Sequence, residues 1–179
     1  RYKTIKEKFS RMNTYLEIGV GKYIEEKFLT AKNEILISTP SISTSLSKKL
    51  IKYLEKGIKI KIILSESTNE STRKAITTLL DYSKNNNKLQ IKVIDFYQVA
   101  LIHAKIYIID KKFAIIGSAN LTESSFNDLP EYIIIHDNEK IINQIMNNFF
   151  EIWGKYKNQS SKHVFKKRIE RSIKKLKNL

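Results

Sequence analysis

The chain has 179 residues, with 33 Lys and Arg against 18 Asp and Glu and a formal net charge of +15, a size that suits one domain with an ordinary buried core. It has no cysteine, which excludes disulfides and thiolate metal sites. No apolar run approaches the roughly eighteen residues of a membrane span and no secretory signal stands out, so a cytoplasmic location is expected.

Residues 1–13 read as a polar, basic lead-in. A short strand at Tyr15–Ile18 closes on Gly19-Val20-Gly21, and residues 22–32 carry helical spacing through Tyr23, Ile24, Phe28 and Leu29. A buried strand is expected over 34–39, punctuated by Pro40. The Ser/Thr cluster 41–47 then offers caps for a helix over 45–56 with Leu46, Leu50, Ile51 and Leu54 inward. Gly57 ends that helix. The strand IKIKIIL follows at 58–64, then a polar loop from Ser65 to Thr72, a helix over 70–83, a turn at Asn85–Asn87 and a strand at 89–94.

This alternation of strand and helix predicts an α/β fold with a mixed, largely parallel sheet flanked by helices. Residues 102–109 and 113–117 read as two strands joined at Asp110-Lys111-Lys112. A further strand is expected at 131–135, and a helix over 137–153 with Ile141, Ile142, Ile145, Phe149 and Ile152 inward and Trp153 packing at its end. Three segments result: the lead-in 1–13, a catalytic domain 14–157 and a basic amphipathic C-terminal helix 158–179. In that helix Phe165, Ile169, Ile173 and Leu176 share one face.

Positive charge points to a polyanionic partner, nucleic acid or anionic lipid. It is uneven: residues 155–179 hold ten Lys or Arg against Glu170 alone. That tail suits docking on the domain, contact with nucleic-acid phosphates, or an anionic membrane surface.

The chemistry concentrates between His103 and Asn120, HAKIYIIDKKFAIIGSAN, which reads H-x-K-x4-D-x6-G-S-x-N. Alternation puts His103, Lys105, Tyr107 and Ile109 on one strand face, with His103 and Lys105 roughly 7 Å apart, close enough to share a phosphate. A two-residue Lys111-Lys112 turn would pair Asp110 with Phe113, Lys105 with Ser118 and His103 with Asn120. A slip of one residue would scatter them, and Lys-Lys is a poor fit to the primed turns that hairpins favour.

Attack on a phosphodiester needs a nucleophile, donors for the phosphate oxygens and an acid for the departing oxygen. His103 can serve as nucleophile or acid near neutral pH. Lys105, Ser118 and Asn120 can donate to the oxyanions, and Gly117 allows close backbone approach to a ligand.

The pattern resembles the signature of the phospholipase D superfamily, matching at His103, Lys105, Asp110, Gly117, Ser118 and Asn120. Similarity in the order of elements runs over about 14–157. Many members carry two copies of the motif, whereas this chain has one, and in that respect it resembles the small single-motif nucleases, in which two subunits each lend a copy. The resemblance implies a phospholipase D-like fold and a phosphohistidine intermediate on His103, with the same imidazole of a second subunit as acid and then base. It also implies phosphate binding by Lys105 and Asn120 with help from Ser118, a supporting role for Asp110, and no cofactor or metal. Glu131 fits the acidic residue that orients the histidine, although Leu129 stands where the family often has Asn. His136 and His163 lack motif partners; His136, at a strand-to-helix junction, reads as structural, and His163 opens the basic tail.

The leading expectation is a metal-independent nuclease acting on DNA in preference to RNA, as a homodimer. A phospholipase or phosphatidyl transferase on anionic lipid, with a membrane as the lesser partner, and a non-catalytic DNA-binding module of a larger protein are the alternatives.

Overall fold

The computed structural model describes residues 11–94 and 102–155. The expected basic helix 158–179, His163 and most of the lead-in lie outside the described residues.

The first strand, β1 (Met12–Ile18), begins two residues ahead of the expected domain boundary and pairs with the last strand, β7 (Pro130–His136), along its whole length. Helix α1 (Gly21–Leu29), β2 (Glu34–Thr39), α2 (Thr44–Glu55), β3 (Lys59–Ser65), α3 (Glu70–Ser83) and β4 (Leu89–Ile94) follow in alternation. The cap of α2 comes from the anticipated hydroxyl cluster: Ser43 accepts the Leu46 N–H at 3.4 Å. Asn69 does the same for α3 through Thr72 at 3.0 Å. Each satisfies an N–H that the first helical turn leaves without a partner. Then come β5 (Lys105–Ile109), β6 (Phe113–Gly117), a single π-helical turn at Ser124–Asp128, β7, and α4 (Glu139–Lys155).

The strands form one sheet in the order β1-β7-β6-β5-β2-β3-β4. It is mixed, but the expectation of a largely parallel sheet needs correcting. Only β2–β3 and β3–β4 pair in parallel, and the other four pairings are antiparallel. Parallel neighbours need a crossover, which α2 and α3 supply; β5, β6 and β7 are joined without helical crossovers and turn back on one another.

Both faces of the sheet are covered. On one, Ile24, Phe28, Leu46, Leu50 and Leu79 from α1–α3 pack with Ile35, Ile37, Ile60, Ile62, Tyr107 and Ile115. On the other, Ile142 and Phe149 of α4 pack on Leu36, Ile63, Ile94, Ile108 and Ala114, and Trp153 stacks on Phe149 with ring centroids 5.9 Å apart. No described helix is long and apolar enough to cross a membrane.

The β5–β6 hairpin differs by one residue from the anticipated register. Ile109 faces Phe113 and Lys105 faces Gly117. The turn is made by Asp110 and Lys111, both with positive φ (51° and 56°), and the Lys112 N–H closes on the Ile109 carbonyl at 2.8 Å. Two left-handed residues in succession are what a primed turn requires. Asp110 secures it from outside the hairpin, because its carboxylate accepts the backbone N–H groups of Lys32, Asn33 and Glu34 at 2.6, 2.9 and 2.8 Å.

Candidate active site

Antiparallel pairing brings the ends that matter to one edge of the sheet. β5 and β7 start there, and β6, β1, β2 and β3 finish there. His103 lies just before β5 and not within it, Lys105 is its first residue, Ser118 and Asn120 follow β6, and Glu131 is the second residue of β7. Asp110 closes the opposite end of β5, roughly 17 Å away at strand rise. It acts on the α1–β2 connection there. His136 ends β7 at that same remote edge.

The His103 ring is exposed, and Lys105 Nζ sits 2.8 Å from its Nδ1 and 3.2 Å from its Nε2. Lys105 is 7 % exposed. Burial pulls its pKa below the usual lysine value, while the charge of Glu131 pushes the other way.

Glu131 is itself buried. The Ser118 hydroxyl donates to its carboxylate, and the same hydroxyl oxygen accepts the Tyr132 N–H at 3.0 Å. The Ser118 N–H returns to the Tyr132 carbonyl at 2.9 Å. This close approach of β7 accounts for Gly117: a Cβ there would lie 2.0 Å from the Tyr132 carbonyl oxygen. The glycine therefore makes room for the neighbouring strand.

Asn120 carries a buried side-chain oxygen with no hydrogen-bond partner among the described residues. Such a group costs about 1–3 kcal/mol unless something pairs with it. A half-turn of the amide would present an N–H at the same spot, suited to an anionic oxygen.

Two side chains not singled out by the sequence shape this loop. Tyr107, fully buried, donates its hydroxyl to the Ala119 carbonyl at 2.8 Å, and Thr39 Oγ1 accepts the Leu121 N–H at 3.2 Å. Burial holds the Tyr107 proton in place by raising its pKa. Strand alternation marked Tyr107 as facing the same way as Lys105, but its contact with the loop depended on the pairing of β5 with β6.

The edge thus gathers an imidazole, a lysine amine, a hydroxyl held by a carboxylate, and an amide with an unused position. Among the described residues no group of three or more His, Asp or Glu side chains could share a metal ion. A cleft of about 1110 Å³ at the opposite edge, lined by Lys111, Lys112, Asp137, Lys140 and Asn143, contains none of these groups.

The chain is 28% identical over 133 residues to the Rickettsia prowazekii protein named phospholipase D, covering 74% of this chain and 62% of that one. It therefore spans about three fifths of that relative. Among solved structures it superposes on Nuc from Salmonella typhimurium, described as a phospholipase D family member, with a TM-score of 0.70 and 17% identity, over 85% of this chain and 99% of that one. It also superposes on TrmBL2, described as an archaeal chromatin protein with a novel mode of DNA binding, with a TM-score of 0.62 and 22% identity, over 87% of this chain and 57% of that one. The family described as "Cardiolipin synthase, PLD-like domain" matches residues 24–153, and the chain belongs to the phospholipase D superfamily.

Proposed function

We propose that this protein is a phosphodiesterase that cleaves DNA, and secondarily RNA, without a metal ion, through a covalent phosphohistidine formed in a site shared by two copies of the chain. The observation that carries the reading is the gathering of His103, Lys105, Ser118, Asn120 and Glu131 on one sheet edge with a single imidazole among them. In the first step a ring nitrogen of His103 attacks phosphorus, and the P–O bond to the leaving group breaks. That oxygen takes a proton from the same imidazole of the second copy. In the next step this second imidazole removes a proton from water, which attacks phosphorus and breaks the P–N bond, restoring His103. Lys105 and Asn120 hold the phosphate oxygens, with Ser118 assisting, and Glu131 orients the group through Ser118 and the Lys105 charge.

Two features support the pairing of copies. His136 lies at the far edge, so among the described residues no second imidazole can reach the phosphate from within one chain. Beside the site, Leu16, Ile18, Leu129 and Tyr132 are exposed at 74%, 59%, 48% and 42%, an apolar strip that a two-fold partner would cover.

The net charge of +15 favours a polyanion, with the basic segment 158–179 adding phosphate contacts and a cytoplasmic setting as part of the reading. The name of the Rickettsia relative favours an anionic phospholipid as the second choice of substrate. The DNA-binding chromatin protein among the structural neighbours favours a binding module as the third.

The test is digestion of plasmid and single-stranded DNA in excess EDTA by the native protein and by His103→Ala, with sedimentation of both. Cleavage by the native dimer alone supports the reading. Cleavage that requires divalent metal, survives the substitution or comes from a monomer overturns it. Headgroup release from anionic vesicles with DNA untouched transfers the reading to lipid.

A further inference from the structure

The residue with the most demanding placement has the least regular backbone. His103 lies in the stretch 102–104, outside any strand, so no sheet ladder sets the peptide planes on either side of it. Two side chains hold the stretch instead, one at the peptide before His103 and one at the peptide after Ala104. Ser38 donates its hydroxyl to the Ala104 carbonyl at 3.2 Å, and Ser65 donates to the Ile102 carbonyl at 3.1 Å. The carbonyl before His103 and the carbonyl of the residue after it are each held from the sheet beneath. Between them, the imidazole is free to face outward onto Lys105.

The two serines come from neighbouring parallel strands, near the end of β2 and at the end of β3. Alternation puts Ser38 on the face of Leu36 and Ser65 on the face of Ile63, the side covered by α4. Ile102 packs against that same apolar cluster. Both serines are almost completely buried, at 3% and 2% exposed, in strands otherwise rich in Ile and Leu. A hydroxyl in such a place is costly unless it is hydrogen-bonded. In each case the recorded donation is to a carbonyl beside the candidate nucleophile.

We propose that Ser38 and Ser65 are positioning residues for His103, a two-point clamp that orients its imidazole toward the phosphorus atom. The proposal rests on the phosphodiesterase reading of this edge. The serines touch neither substrate nor the reacting atoms. They act by fixing the backbone from which the nucleophile projects, and displacement of about 1 Å in such a group costs on the order of a hundredfold in rate.

The experiment uses the full chain and bis(p-nitrophenyl) phosphate in EDTA, with Ser38→Ala, Ser65→Ala, the double variant, and Ser38→Thr and Ser65→Thr. Each alanine lowers kcat about tenfold and the pair about a hundredfold, with KM unchanged, since the clamp governs orientation of the nucleophile. Threonine, which keeps the hydroxyl, restores most of kcat. Independently of turnover, backbone order parameters at residues 102–104 fall from about 0.85 to below about 0.6 in the double variant. Wild-type kcat and order in the alanine variants overturn the clamp while leaving the phosphodiesterase reading intact. The same holds if threonine performs no better than alanine. If the native protein cleaves no diester, the function reading fails, and the clamp stands or falls on the order parameters alone.

Discussion

Ser118 gives its hydroxyl proton to the carboxylate of Glu131 and takes the backbone N–H of Tyr132 on the same oxygen at 3.0 Å. The acidic residue at the start of β7 thus bears on the site through a hydroxyl and through the charge it presents to Lys105, not through a recorded contact with the His103 ring. Ser118 is correspondingly tied to the scaffold. A phosphate oxygen must compete with Glu131 for its proton.

Replacing Glu131 by Gln tests this arrangement. Burial lowers the pKa of Lys105 and the Glu131 charge opposes that fall. Removing the charge therefore lowers the lysine pKa further, so the ammonium is lost at lower pH. The alkaline limb of the kcat/KM profile of Glu131→Gln moves to lower pH, with activity at neutral pH reduced on the order of ten- to a hundredfold. A profile with an unmoved alkaline limb would detach Glu131 from Lys105.

Asp110 tests the supporting role of the motif's acidic residue. Burial alone would raise its pKa, but the N–H groups of Glu34, Lys32 and Asn33, helped by Lys112, outweigh that and leave it below the usual aspartate value. A folded-state pKa below the unfolded one adds stability above the unfolded value, about 3.9. This contribution is lost as pH falls through the folded value. Asp110→Asn is expected to cost about 1–2 kcal/mol at pH 7, and the difference from the native protein should shrink toward zero in acid. Urea unfolding at pH 7 and at pH 3 measures both. Because Asp110 lies at the far edge, kcat at 25 °C should stay within about twofold of the native value; a collapse of kcat in a folded variant would place Asp110 in the chemistry.

The adjoining turn carries a removable cost. Lys111 holds φ at 56°, a conformation that costs an L-residue with a side chain about 1–2 kcal/mol and glycine essentially nothing. Lys111→Gly creates the Asp-Gly pair preferred in such turns. It should stabilise the protein by about 1 kcal/mol, raising Tm by about 2–4 °C at this chain length with activity unchanged. A lower Tm would mean that the lysine side chain contributes more than its backbone costs.

Sequence periodicity alone located β2, β4, β6 and α3 at their observed limits, because alternation and helical spacing are set by neighbours a few residues apart. Of the gapped motif, His103, Lys105, Ser118 and Asn120 lie at one end of the sheet, whereas Asp110 lies at the other. What only the tertiary structure decided was which ends of which strands come together. The pairing of Met12–Ile18 with a strand more than a hundred residues away, the antiparallel return of β5 onto β2, and the one-residue change in the hairpin register all depend on cross-strand packing. Lys111 has a weak local preference for its left-handed turn; the three N–H groups that Asp110 accepts from residues 32–34 help hold that turn. Ser38 and Ser65 likewise read as ordinary strand-end hydroxyls until the chain beneath His103 is laid across them, since a hydrogen bond to a distant carbonyl leaves no periodic trace in the sequence.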